Sequence, residues 1–325
     1  MNHRQGVHFI GIGGVGMSGL ARILVEGGTP VSGSDLGPNA QTALLSSFGA
    51  RIFYKQCAGN IPENTGKVVV STAIDHKNPE LLEARARGIP IVHRSDLLAE
   101  MFLDAHNGIA VAGCHGKTTV SSMISHVLVH GDVDPTCVVG GTVAALGGNA
   151  RTGKSGVFVA EADESDATFL KYFPQVAIIT NIDNDHMDHY QSLDAIVKAF
   201  EVFASHVQPN GTLYVCQDDP IARNIALPEQ RRIVSYGIDT PADIMASNVQ
   251  LFPFGSSFDV TIAGIKRGRF TLSIPGKHNV LNALPVISIG FDLGLDADKI
   301  AKSLKTFSGA GRRFEVKGNY DGITV

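Results

Sequence analysis

The chain has only four cysteines in 325 residues, Cys57, Cys114, Cys137 and Cys216, and no CxxC pair among them. That scatter argues against a disulfide framework and against a cysteine-built zinc site. An excess of positive charge is also missing: 27 Lys and Arg stand against 31 Asp and Glu, a formal net charge of -4, which gives no support for general nucleic-acid binding. No apolar run approaches the length needed to cross a bilayer. The opening "MNHRQGVHFI" meets glycine too early to form the apolar core of a signal peptide. These absences lead to the expectation of a cytoplasmic protein with no nucleic-acid and no membrane partner.

The rest of the composition is ordinary for a globular chain rich in turns: 44% hydrophobic, 18% charged, 36 glycines. The length suits two or three domains, each able to bury its own core. Through the first hundred residues strand and helix signals alternate. "VHFIGIG" reads as a buried strand, and Met17, Leu20, Ala21, Leu24 and Val25 follow at the spacing of one helix face. "TPVSGSD", "KVVVSTA" and "IPIVHRSD" read as further strands, and "NPELLEARARG" as a short helix stopped at Gly88. Such alternation implies a doubly wound parallel sheet. A boundary falls near residues 103–108, after which the alternation restarts. "GIAVAG", "GVFVAE", "VAIITNID" and "GTLYVCQDD" read as strands. Val120, Met123, Ile124, Val127 and Leu128 line one helix, and Ile196, Phe200, Phe203 and Val207 another. Residues 235–275 read as shorter β-rich segments. "HNVLNALPVISIGFDLG" reads as a helix in which Pro285 predicts a kink or break.

Two glycine loops stand out. Gly11-Ile12-Gly13-Gly14-Val15-Gly16 fits G-x-G-x-x-G between a strand and a helix, where backbone amides face an anion. Asp35 ends the next strand, where a ribose-binding acid would stand. The pattern indicates a diphosphate nucleotide and leaves open whether it is a dinucleotide or a UDP-sugar. In the second loop, Gly113-Cys114-His115-Gly116-Lys117-Thr118-Thr119, the strict P-loop fails because Val111 stands where a glycine is required. The Gly-Lys-Thr end is intact. Lys117 is placed to reach phosphates and Thr118 to ligate Mg²⁺. A lysine at a helix start is unfavourable unless an anion is there.

Acids cluster at two later strand ends, Glu161, Asp163, Glu164 and Asp166 in one and Asp183, Asp185 and Asp188 in the other, the second with His186 and His189. Carboxylates beside a triphosphate suit Mg²⁺, and an imidazole ligand is compatible with Mn²⁺. A zinc site at His186 and His189 is disfavoured by the hard cation the phosphate loop demands. Asp188 and Asp194 read as helix caps or solvated acids.

Taken together, "HFIGIGGVGMSGLA", "VSGSD", "STAI", "IPIVHRSDLLAEM", "GCHGKTT", "EADESDATFL", "TNIDNDHMDHY", "PGKHNVLNA" and "GAGRRFE" resemble the Mur ligase family, in family order and over almost the whole chain. The resemblance implies a Rossmann-like UDP-sugar-binding domain over 1–105, a central P-loop ATPase-like α/β domain with a small β-rich part over 106–312, and the start of a truncated C-terminal domain over 313–325. It implies ATP-dependent ligation of L-alanine to the lactyl carboxylate of UDP-N-acetylmuramate through an acyl phosphate, for peptidoglycan precursor synthesis.

Carried over by residue, Lys117, Glu161 and His186 are the catalytic set, with Thr118, Glu161 and His186 as metal ligands. ATP falls to Gly113–Thr119 with His278, Asn279 and Asn282. The UDP-sugar falls to Gly11, Gly13, Gly14, Gly16, Met17, Ser18, Asp35, Ser71, His93 and Arg94. Relatives continue for a further domain that closes over ATP, so this chain is expected to bind nucleotides and to turn over poorly by itself. Three competing readings are a NAD-dependent dehydrogenase, a non-catalytic nucleotide-binding scaffold, and the branch of the same family that recycles whole peptides onto the same sugar.

Overall fold

The computed structural model describes residues 5–165, 167–185 and 190–311, with the backbone of 319–320 and 323–324. The first layer is a five-stranded parallel sheet of β1 (Gly6–Ile10), β2 (Val31–Ser34), β3 (Arg51–Phe53), β4 (Thr65–Val70) and β5 (Ile91–His93), in the order β3-β2-β1-β4-β5. The order reverses at β1, and the first glycine loop leaves the sheet at that switch point, where open α/β sheets form a ligand crevice. Helices α1 (Val15–Glu26), α2 (Ala40–Ser47), α3 (Pro79–Ala86) and α4 (Arg94–Asp104) cover the sheet. Their starts are written locally. Asn39 closes a capping box on α2, Asn78 caps α3 with Pro79 behind it, and His93 caps α4.

A ten-stranded sheet follows, in the order β15-β14-β13-β12-β11-β10-β6-β9-β7-β8. Its parallel centre is β6 (Asn107–Ala112), β9 (Val157–Glu161), β10 (Val176–Ile179), β11 (Thr212–Cys216) and β12 (Arg232–Gly237). β7 (Thr136–Val143) joins β9 in parallel and turns back as β8 (Gly148–Arg151). The far edge is a meander of β13 (Ile244–Phe252), β14 (Gly255–Ile262) and β15 (Ile265–Leu272). Helices α5 (Lys117–His130), α6 (Leu193–Ser205), α7 (Lys277–Asp292) and α8 (Ala297–Thr306) pack on this sheet, and β16 (Asn319–Tyr320) pairs with β17 (Ile323–Thr324). The mixed α/β fold with parallel sheets is the one expected. Among the described residues no helix is long and apolar enough to cross a membrane.

Several local expectations change. The meander strands are eight or nine residues long rather than short. "IPIVHRSD" is a strand only to His93, and α4 begins at Arg94. Helix α7 runs unbroken through Pro285. The residues around that proline, Val280, Ala283, Leu284, Val286 and Ile287, are all buried, so packing on both sides outweighs the lost backbone hydrogen bond. Helix α5 is buried nearly all round, with Ser121, Ser122 and Ser125 as deep as its apolar stripe, because the sheet lies on one side and α7 and α8 on the other.

Candidate functional site

β9, β6 and β10 lie side by side and bring three loops to one edge of the second sheet. Val111 is still inside β6, paired with Glu161 and Ile178, which is why no glycine is needed there: the turn proper starts at Gly113. Gly113 has φ 133° and Gly116 φ 86°, and a Cβ at Gly113 would collide with Thr180 Oγ1. The end of β10 sets the loop's shape. Asn181 Oδ1 accepts from His115 N at 2.8 Å, Asn181 Nδ2 donates to His115 O at 2.8 Å, and Thr180 Oγ1 donates to the same carbonyl at 2.6 Å. Cys114 is buried, its Sγ 3.2 Å from the donating Asp183 N. Burial pushes its thiol up to about 11, so it packs rather than reacts.

Helix α5 starts at Lys117 with no side-chain cap and no acid in its first turn, which leaves an N-terminus suited to an anion. Thr119 is half-buried in the same turn. Lys117 Nζ folds back over the loop, donating to Gly113 O at 2.7 Å and to Glu164 Oε1 at 2.6 Å, with the Glu164 side chain fully buried. Thr118 Oγ1 donates to Glu161 Oε2 at 3.2 Å, and the other oxygen of Glu161 accepts from Ser121 Oγ at 3.0 Å and Gly140 N at 2.6 Å. Burial holds the Glu161 carboxyl above the usual carboxylate range, against the pull of those three donors. Lys117, Thr118 and Glu161 therefore converge.

His186 lies outside the described residues, as do Asp188, His189 and Asp166. Among the described residues no group of three His, Cys, Asp or Glu could hold a metal. The Thr118 hydroxyl and the Glu161 carboxylate, both oxygen donors beside an anion-seeking loop, fit a hard divalent cation that keeps phosphate and water as its other ligands.

A cavity of about 260 Å³ lies beyond the loop, lined by His115, Asn181, Asp218, Asp219, His278 and Asn282. Asn279 is not part of it: its amide donates to Pro275 O at 2.6 Å and fixes the turn before α7.

The first loop is built differently. Ser34 O accepts from Gly11 N at 2.8 Å and Ile12 N at 2.9 Å, Gly14 N donates to Gly11 O at 3.2 Å, and Asp35 Oδ2 accepts from Gly13 N at 2.7 Å. Asp35 thus closes the loop on itself. Helix α1 begins behind Gly14 with no side-chain cap, and its start opens on a cleft of about 400 Å³. One wall carries Gly14, Gly16, Met17, Ser71 and Arg94; the opposite wall carries Gly140, Glu161 and Asp163. A Cβ on Gly16 would lie 3.3 Å from Arg94 Nη1, so this glycine admits the guanidinium, which also stands 3.5 Å from Asp163. Five of the ten expected residues do not line the cleft: Gly11, Gly13 and Asp35 are engaged within the loop, and Ser18 and His93 sit elsewhere. His93 caps α4, its Nδ1 2.8 Å from Ser95 Oγ, and Ser18 is buried, donating to Val15 O at 3.1 Å.

The sequence reading missed Ser121, Gly140, Thr180 and Asn181, and gave Asp163 and Glu164 no partner. Asn181 lies inside the quoted "TNIDNDHMDHY". Gly140 carries no signal in the sequence, since its role rests on a strand placed beside β9.

Comparison with known proteins agrees with this fold. The Mur ligase middle domain matches residues 111–290, and the Mur ligase family catalytic domain matches 6–106. The UDP-N-acetylmuramate–L-alanine ligase of Solibacter usitatus is 46% identical over 323 residues, 99% of this chain and 68% of the relative. That of Acidobacterium capsulatum is 47% identical over 322 residues, 99% of this chain and 70% of the relative. The crystal structure of the UDP-N-acetylmuramate–alanine ligase of Thermotoga maritima superposes with a TM-score of 0.83 at 31% identity, covering 97% of this chain and 71% of that one. The UDP-N-acetylmuramate:L-alanyl-γ-D-glutamyl-meso-diaminopimelate ligase of Neisseria meningitidis also gives 0.83, at 27% identity, with 95% and 100% covered. With both halves of the described fold matched in order, this chain belongs to the Mur ligase family, whose members are ATP-dependent ligases.

Proposed function

We propose that the chain joins L-alanine to the lactyl carboxylate of UDP-N-acetylmuramate using ATP, in the synthesis of peptidoglycan precursors, and that its two glycine loops hold the two nucleotides. The observation that carries this reading is that Thr118, next to Lys117 at the start of α5, donates to Glu161, which itself lines a cleft whose far wall is the start of α1 with Arg94. The triphosphate lies on the second loop, Lys117 neutralising the transferring phosphoryl group and the amides of α5 holding it in line. Thr118 and Glu161 hold Mg²⁺, which when bound draws charge from the phosphate oxygens, and we assign His186 to a second metal. The 260 Å³ cavity with His278 and Asn282 takes the base and ribose. The diphosphate of the sugar lies at the start of α1 against Arg94, which directs the lactyl group toward Glu161 and Gly140. The carboxylate takes the γ-phosphoryl group and ADP leaves. The amine of L-alanine then adds to the acyl carbon, and phosphate leaves as the amide forms. Positioning and charge neutralisation supply the catalysis. ATP and nucleotide sugars are cytoplasmic metabolites, and we place the reaction there.

Identity supports this substrate pair over whole-peptide recycling: curated alanine ligases stand at 42–47%, and among solved structures the alanine ligase stands at 31% against 27% and 25% for the peptide ligases. A dehydrogenase would leave Lys117, Glu161 and Glu164 without a task. The test is calorimetry with UDP-N-acetylmuramate and, separately, a non-hydrolysable ATP analogue with Mg²⁺. Each is expected to bind at 1:1 in the presence of the other. Mutual displacement, or NADH binding that UDP-N-acetylmuramate cannot compete away, would overturn the reading.

A further inference from the structure

Helix α1 faces two ways. Its first turn opens on the cleft, while its middle is buried, and its last turn half-buried, on the side of the β7–β8 hairpin of the second sheet. Ser18 and Gly19 are buried, and Arg22 is only 8% exposed. Arg22 Nη1 donates to Leu146 O at 3.1 Å and Gly147 O at 3.3 Å, and its Nε donates to Glu26 at 2.9 Å. Glu26 in turn accepts from Thr152 N at 2.9 Å. Asn149 donates to Val15 O at 2.6 Å, so the hairpin grips α1 within one residue of its start. A Cβ on Gly19 would stand 3.1 Å from Val138 Cγ1 and 3.3 Å from Asn149 Nδ2, so this glycine sets how closely helix and hairpin approach. The same hairpin supplies the opposite wall of the cleft: Val138, Val139 and Gly140 line it, and the Gly140 amide holds Glu161.

We infer that the α1–hairpin contact is the ruler that sets the distance between the diphosphate seat and Glu161, with Gly19 and Arg22 as positioning residues for the sugar end of the substrate. The inference rests on reading the start of α1 as the diphosphate seat. One rigid helix reaches from that seat to the hairpin, and one strand reaches from the hairpin to the reacting end. A shift of a few tenths of an ångström at Gly19 therefore moves the two walls relative to one another while leaving each nucleotide loop intact. UDP touches only the first wall, whereas the muramoyl part must meet the second.

The experiment measures affinities for UDP and for UDP-N-acetylmuramate in the unaltered chain, in Gly19→Ala and in Arg22→Ala. Alanine favours helix more than glycine does, so Gly19→Ala is a wedge that does not weaken α1, and it keeps the test open if Arg22→Ala does not fold. In each folded variant the preference for UDP-N-acetylmuramate over UDP is expected to fall about ten-fold, with UDP and the ATP analogue unchanged within about two-fold. An unaltered preference in Gly19→Ala, or a parallel loss of both ligands, overturns the ruler. Failure of the unaltered chain to bind UDP at all instead overturns the assignment of the diphosphate seat, and the ruler with it.

Discussion

The two glycine loops share a strand–turn–helix frame and differ in where their amides and their cation come from. In the first, the amides of Gly11, Ile12, Gly13 and Gly14 are all taken by Ser34 O, Asp35 and Gly11 O, and the guanidinium beside Gly16, that of Arg94, arrives from α4. In the second, the loop carries its own cation. Lys117 is held over the turn by Gly113 O and Glu164, and Asn181 grips the loop from outside. The lesson is one of charge. On the proposed reading, the diphosphate is met by a helix start and one guanidinium lent by a neighbouring helix. The triphosphate and its divalent ion would be met by a cation and an acid built into the loop's own surroundings, each unfavourable there without the other.

The sharpest break in the comparison is Lys117→Met, which keeps the apolar stem and removes the charge. ATP-analogue affinity is expected to fall about a hundred-fold, while UDP-N-acetylmuramate binding stays unchanged. Because the substitution takes a cation from the fully buried Glu164, it is also expected to destabilise the chain by about 3–5 kcal/mol. Adding Glu164→Gln should restore most of that stability and none of the ATP affinity. Calorimetry and urea unfolding read the two effects separately. Full ATP-analogue affinity in Lys117→Met would show that the loops do not differ as described.

Most of this contrast could be read from the chain. Gly-Lys-Thr after an apolar strand and the acids at the end of β9 pointed to the side chains that meet at the second loop, and G-x-G-x-x-G pointed to the first loop's frame. What could not be read depends on neighbours distant in sequence. Nothing local says that one oxygen of Asp35, the expected ribose ligand, turns back to Gly13. Ser18, Gly19 and Arg22 lie off the apolar stripe of α1, and nothing local says that they are buried, because the surface that covers them is a hairpin more than a hundred residues later. Ser121 carries no signal beside the apolar stripe of α5, because its partner Glu161 lies on β9, forty residues later. That His93 is also the cap that starts α4, and so helps aim Arg94, is not announced by the strand pattern it ends.

Arg94→Ala probes the borrowed cation. Its guanidinium is partly exposed, with Asp163 at 3.5 Å, so screening limits its contribution. UDP affinity is expected to fall about ten-fold, less than the loss at Lys117, with a steeper share at low salt and no change in ATP-analogue binding. A loss as large as that of Lys117→Met would mean that the first loop has no other means of holding an anion, contrary to the role given to the start of α1.

The mildest expected difference lies behind the loops, where each helix meets its neighbour. Helix α1 is fastened by the Arg22–Glu26 pair, whereas α5 is fastened by a histidine: His126 Nε2 lies 3.0 Å from Ser303 O and 3.0 Å from Thr306 Oγ1, with the His130 ring 4.1 Å away. Burial, and then the neighbouring His130, push His126 down to about 4, from about 6.5 when unfolded. A depressed histidine contributes stability that is complete above 6.5 and is lost as pH falls toward 4, because the unfolded chain takes up the proton first. Stability is expected to decline through that window by up to about 1.4 kcal/mol per pH unit from this residue. His126→Gln, read by urea unfolding at pH 7.5, 6 and 5, should flatten that acid slope. Arg22→Ala should shift stability by a similar amount at all three values, since its fastening pair holds no histidine. Equal acid slopes in the unaltered chain and in His126→Gln would remove the distinction between the two helices.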